Sequence, residues 1–61
     1  MNKELTEAII ELMGTMEQMQ VNMDNSGVVS NRTIKRLDKV VETLEEKFNV
    51  DSEKIMEIAW R

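Results

Sequence analysis

The chain has no cysteine, histidine, tyrosine or proline, and its 61 residues include only two glycines, one phenylalanine and one tryptophan. Without cysteine there is no disulfide. With histidine missing too, the usual Cys/His zinc sites cannot be built. The same absences empty most of the proton-transfer and nucleophile inventory, and Ser26, Ser30 and Ser52 have no imidazole to activate them. No apolar run approaches the roughly 20 residues that span a bilayer, and no basic-then-apolar leader pattern is present. The expectation is a cytoplasmic protein with no catalytic residues, no cofactor, no metal and no membrane contact. The lack of cysteine fits a reducing compartment. Lack of proline removes the strongest helix breaker.

A chain of this length makes one domain, residues 1–61, and buries only about 60% of its unfolded surface. Small scaffolds without disulfides or metals meet that shortfall by associating, so a homodimer is expected. Twelve acidic residues against eight basic ones give a net charge of −4, the wrong sign for a general phosphate-binding surface. Nucleic acid is therefore not the expected partner. The charge is unevenly spread. Residues 1–30 carry one lysine against five acids, whereas 31–40 carry Arg32, Lys35, Arg36 and Lys39 against Asp38.

Apolar residues recur with helical spacing. Leu5, Ile9, Leu12, Met16, Met19 and Met23 follow one another at intervals of 4, 3, 4, 3 and 4; Ile34, Leu37, Val41, Leu44 and Phe48 follow at 3, 4, 3 and 4. Each run is an a/d seam of coiled-coil type, widened at its flank by Ala8 or Val40. Most intervening residues are Glu, Lys, Gln and Arg, good helix formers. The spacing predicts helices over about 3–24 and 31–48. Between them, Asp24-Asn25-Ser26-Gly27 combines backbone-bonding side chains with a glycine free to take positive φ, which ends the first helix. The second begins on Ser30 or Asn31, with Val29 and Ile34 placed as a hydrophobic staple about a Ser30 cap. Val50, Asp51 and Ile55 repeat that grammar and predict a third helix over about 52–60. The rival, one helix running through to the end, would put Asp51 in the seam.

A connection of roughly 4–7 residues makes an antiparallel hairpin the default, and charge agrees: the acidic end of helix one, with Glu17 and Asp24, would lie beside Arg32 and Arg36. The expected fold class is all-α, an antiparallel helical hairpin plus a short C-terminal helix, dimerising into a four-helix-bundle-like assembly. Its core and dimer seam would be the eleven residues of the two runs.

Three features are candidates for function. In the third segment Ile55, Met56, Ile58, Ala59 and Trp60 sweep an arc of about 200° at ~100° per residue, wider than a short surface helix needs. Either it caps the bundle, or Ile55, Met56, Ala59 and Trp60 anchor a partner, tryptophan being a frequent interface hot spot. Helix one places Gly14 in its interior at about 1 kcal/mol relative to alanine, beside Ile10 and Val21 on the face away from the seam. Five of six methionines lie in the first 23 residues; methionine fills cores and also suits adaptable binding grooves. Asp38, Glu42, Glu45 and Glu46 crowd one stretch, but a bundle di-metal site pairs glutamate with histidine, so they read as a solvated face.

Two segments resemble known motifs in part. Asn22, Asp24, Ser26, Gly27 and Val29 fall where an EF-hand calcium loop places its first, third, fifth, sixth and eighth residues. That resemblance would imply a calcium ion; its twelfth position is Thr33 rather than the bidentate glutamate, and Asp24 is its one carboxylate. Val29 to Leu37 resembles the recognition helix of helix-turn-helix repressors, which would imply major-groove contacts from the basic patch Arg32, Lys35, Arg36 and Lys39. Upstream, Asp24 stands where that motif packs a small residue, and Gly27 comes one position early. The residues together point to a small non-enzymatic interaction protein in the style of a bacterial or phage regulator, binding and inhibiting or adapting a larger protein. The alternative is a DNA-binding regulator.

Overall fold

Asn2 starts the first helix by accepting hydrogen bonds from the Glu4 and Leu5 amides on its side-chain oxygen, at 2.8 and 3.4 Å, the N-capping role short polar side chains fill. The computed structural model describes residues 2–59, which form α1 (Lys3–Ser26), α2 (Asn31–Glu46) and α3 (Ser52–Ala59). At 1.5 Å per residue α1 is about 36 Å long, matching the longest of the molecule's dimensions, 36 × 21 × 20 Å. Among the described residues no helix is long and apolar enough to cross a membrane.

The first corner follows the residues that foretold it, with a shift. Gly27 adopts φ 76° and its amide bonds the Met23 carbonyl. The turn chemistry expected of residues 24–26 is absorbed into the helix instead. Gln20 donates to Asp24 at 3.0 Å and the Ser26 hydroxyl donates back to the Asn22 carbonyl at 2.9 Å, so α1 runs to Ser26, two residues beyond the expected end. Ser30 then caps α2, accepting from the Thr33 amide.

The second corner excludes a continuous helix through residues 46–52. Asn49 sits at φ 54° and the Val50 amide turns back to the Leu44 carbonyl at 2.9 Å. This ends α2 at Glu46, short of the expected Phe48, because asparagine tolerates the left-handed conformation better than most side chains. Asp51 then starts α3 by accepting from the Glu53 amide at 3.0 Å.

Burial of Leu12, Val40, Leu44 and Ile55 makes the centre of the core. Around it pack Leu5, Ala8, Ile9, Met16, Leu37, Val41, Phe48, Val50, Ile58 and Ala59. Val40, expected only to flank the seam, is 5% exposed, while Met23 and Ile34, placed in the seam, are 49% and 43% exposed. Val40 lies beside Ala8 and Glu11 of α1, and α2 packs against α3 as well. A helix with neighbours on two sides needs a broader apolar face than an a/d stripe, so both Val40 and Val41 are covered. The corner ends of the two stripes lie beyond the reach of α3.

Candidate binding surfaces

The sign of the charges selects an antiparallel hairpin, and the pairs that form confirm that direction. Glu11 and Arg36 make a hydrogen-bonded ion pair, and Glu4 meets Lys47 at 3.1 Å, so the start of α1 lies beside the end of α2. These are not the partners expected. Glu17 faces the other way, lining a groove with Ile58 and Ala59 of α3, and Asp24 takes the Gln20 amide. Helical rotation is the reason: Glu17 lies about 100° around α1 from Gln18, which borders the Arg32–Arg36 side.

Gly14 belongs to the Glu11–Arg36 pair. A Cβ added at residue 14 would stand 3.3 Å from the Arg36 Nη2, so the bare backbone leaves a seat in which the guanidinium lies across α1. The hydrogen bond from Arg36 holds the Glu11 carboxyl below the ordinary value of 4.5, and the same bond raises the guanidinium. Arg36 is thereby engaged within the molecule, while Arg32, Lys35 and Lys39 are exposed. Arg32 and Arg36 border a groove of ≈ 680 Å³ with Gln18, Ser30 and Thr33.

The segment that resembles a calcium loop is built differently. Residues 22–26 are helical, so Asp24, the one carboxylate, projects about 160° around α1 from Asn22 and Ser26 rather than converging with them. Asn22 and Thr33, at the first and twelfth loop positions, are bonded to each other. The Ser30 amide can only donate, so the Asn22 atom it meets at 3.1 Å is the carbonyl oxygen. That oxygen also accepts from the Thr33 hydroxyl at 2.8 Å. Thr33 has one hydroxyl proton, so the 2.9 Å contact between the two hydroxyls is donated by Ser30. The result is a directed chain from Ser30 to Thr33 to Asn22 that locks the corner, with Thr33 only 4% exposed. Among the described residues no three carboxylates come together as a metal site would require, and Asp38, Glu42, Glu45 and Glu46 are all exposed.

Apolar surface concentrates in two places. Between α1 and α3, a groove of ≈ 280 Å³ is lined by Met13, Met16, Glu17, Ile58 and Ala59. On α1 Ile10 and Met13 are 61% and 54% exposed, and on α3 Met56 is 57% exposed. Ile10, Met13, Glu17 and Val21 fall within about 80° of arc on α1 at ~100° per residue. Of the four residues singled out in the third segment, Ile55 is in the core at 4% exposure, Ala59 lines this groove, Met56 is exposed, and Trp60 lies outside the described residues.

At the corner, Met16, Met19, Gln20, Met23 and Val29 line a smaller depression of ≈ 120 Å³, and Val28 and Ile34 are exposed. The Met19–Met23 end of the α1 stripe thus contributes here rather than to the monomer's centre. Comparison of the chain with protein-family models, with curated proteins and with solved structures finds no match.

Proposed function

We propose that this chain is a small non-enzymatic protein–protein interaction module. It pairs with a second copy in a four-helix-bundle-like assembly, and it regulates a larger protein by binding it through the apolar face shared by α1 and α3. The observation that carries this reading is the groove lined by Met13, Met16, Glu17, Ile58 and Ala59, with Met13 54% exposed and Ile10, one turn before it on α1, 61% exposed. Single exposed apolar residues are ordinary, but a contiguous apolar patch with a polar rim is a common mark of a protein contact. Methionine suits such a surface because its side chain repacks around different partners. The absence of histidine, cysteine and tyrosine supports binding over catalysis.

The test is affinity capture from the native host with the wild-type chain, Met13→Glu and Trp60→Ala as baits, read by mass spectrometry. One protein held by the wild type and lost with Met13→Glu supports the assignment, and its retention by Trp60→Ala would confine the contact to the groove. Equal recovery on Met13→Glu would remove the groove from the reading. Tight binding to duplex DNA that weakens steeply with salt would replace it with a nucleic-acid reading centred on Arg32, Lys35 and Lys39.

A further inference from the structure

Arg32, Lys35, Arg36 and Lys39 fall within about 100° of arc on α2 at ~100° per residue, so each is an i, i+3 or i, i+4 neighbour of another. Like charges at that spacing destabilise a helix, and cations near its start also oppose the helix dipole. Only one of the four gains an acidic partner inside the molecule. Among the described residues the ion pairs are Glu11 with Arg36 and Glu4 with Lys47, which leaves Arg32, Lys35 and Lys39 exposed without one.

The facing side of α1 explains the imbalance. Glu4, Glu7, Glu11, Thr15, Gln18 and Asn22 fall within about 80° of arc on that helix at ~100° per residue. The acids stop at Glu11. Towards the corner the same side continues as Thr15, Gln18 and Asn22, which are neutral, and Asn22 is committed to Ser30 and Thr33. Arg32 and Arg36 therefore border a groove of ≈ 680 Å³ whose α1 wall is the exposed amide Gln18. The other carboxylates nearby lie off this line. Asp24 is turned about 120° around α1 from Gln18, and Asp38 about 60° beyond Lys35, the edge of the cationic arc on α2.

We infer that this cationic groove seats an acidic segment of a protein partner, its carboxylates held by Arg32 and Arg36 with Lys35 and Lys39 on the flank. Guanidinium groups match carboxylates with paired hydrogen bonds, and a bound acid would relieve the repulsion along α2. The groove shares no lining residue with the one between α1 and α3, so this contact stands or falls separately from the one proposed above.

The length of the patch selects the kind of anion. Arg32 to Lys39 covers about 10 Å along α2 at 1.5 Å per residue, enough for a few carboxylates. A duplex laid along α2 would run past Lys39 onto Glu42, Glu45 and Glu46, all exposed, on a chain whose net charge is −4. Phosphate polymers need a longer positive face.

Nuclear magnetic resonance of the isotopically labelled full chain, titrated with hexaglutamate at low ionic strength, tests this, with hexaglutamine as the uncharged control. Hexaglutamate should shift the backbone amides of Ser30, Arg32 and Arg36 and the side-chain amide of Gln18, and hexaglutamine should shift none of them. Arg32→Gln/Lys39→Gln should weaken binding about tenfold, the product of two exposed ion pairs. Lys3→Gln/Lys54→Gln makes the same change of net charge at other exposed positions and should bind as the wild type does. Equal weakening in both variants, or no shifts with hexaglutamate, would overturn the site. The Arg32→Gln/Lys39→Gln variant should also melt no lower than the wild type, because it removes like-charge neighbours; a lower melting temperature would show that these cations serve the fold and overturn the inference. A short DNA duplex that shifts the same amides and binds more tightly than hexaglutamate, with a steep dependence on salt, would give the groove to nucleic acid instead.

Discussion

Gly14 sets two small effects against each other. In a helix interior alanine is favoured over glycine by about 1 kcal/mol. Against that gain, an added Cβ would approach the Arg36 Nη2 to 3.3 Å. The atom that must give way is the end of a long side chain that is 40% exposed, so a shift of a few tenths of an ångström is cheap. Gly14→Ala should therefore raise stability, by somewhat less than about 1 kcal/mol, measured by thermal or urea unfolding. A lowered melting temperature would mean that the guanidinium is wedged rather than resting. The Glu11 carboxyl gives a pH signature. Its pKa is lowered in the folded chain, so its contribution is present above the ordinary value of 4.5 and is lost as pH falls through the folded value. Comparing the wild type with Glu11→Gln cancels the other carboxylates. The wild type should melt higher at pH 7, by at most a few degrees for so exposed a pair, and the gap should close below pH 4.5. A gap that persists into strong acid would show that Glu11 acts through packing.

Two residues in left-handed geometry, Gly27 and Asn49, divide the chain into its helices. Asn49 carries the greater burden, because the heptad spacing of Phe48, Asp51, Ile55 and Ile58 would otherwise support one long helix. Left-handed backbone costs an ordinary L-residue about 1–2 kcal/mol. Asn49→Ala should destabilise by about 1 kcal/mol, and faster amide exchange in α3 than in α1 would locate the loss at its docking. The three helices and their hairpin were legible in the sequence because capping and periodicity are local. Val29-Ser30 and Val50-Asp51 mark helix starts without reference to the rest of the fold. Val40 and Gly14 were not legible. Their roles depend on how far each helix is rotated towards its neighbours, which turns a flanking valine into core and a costly glycine into the seat of an arginine. The Asn22–Ser30–Thr33 chain was hidden for a related reason: its residues lie 8 and 11 positions apart and meet only across the finished corner. The basic and acidic blocks gave the direction of the hairpin, but the register chose Glu11 and Glu4 over Glu17 and Asp24.

For the whole molecule, the decisive question is how much of the fold depends on its shortest helix. Leu12 and Leu44 are fully buried in a cluster closed by Ile55 of α3 and flanked by Ile58 and Ala59. Burial of one isoleucine contributes about 1.5–3 kcal/mol, whereas a single core in a domain of this size rarely supplies more than about 3–5 kcal/mol in all. Losing Ile55 and Ile58 together would therefore exhaust the margin, and the 16 residues of α2 are near the limit at which an isolated helix persists in water. A chain ending at Val50 should lose cooperative thermal unfolding, and its helical circular dichroism should fall by more than the eight residues of α3 contribute. The control is a chain ending at Ala59, which keeps all three helices. Cooperative melting of the shorter chain near the wild-type temperature would show that the hairpin stands alone. In that case α3 would be free to leave its groove, and the surface available to a partner would be the buried face of α3 as well as its exposed one.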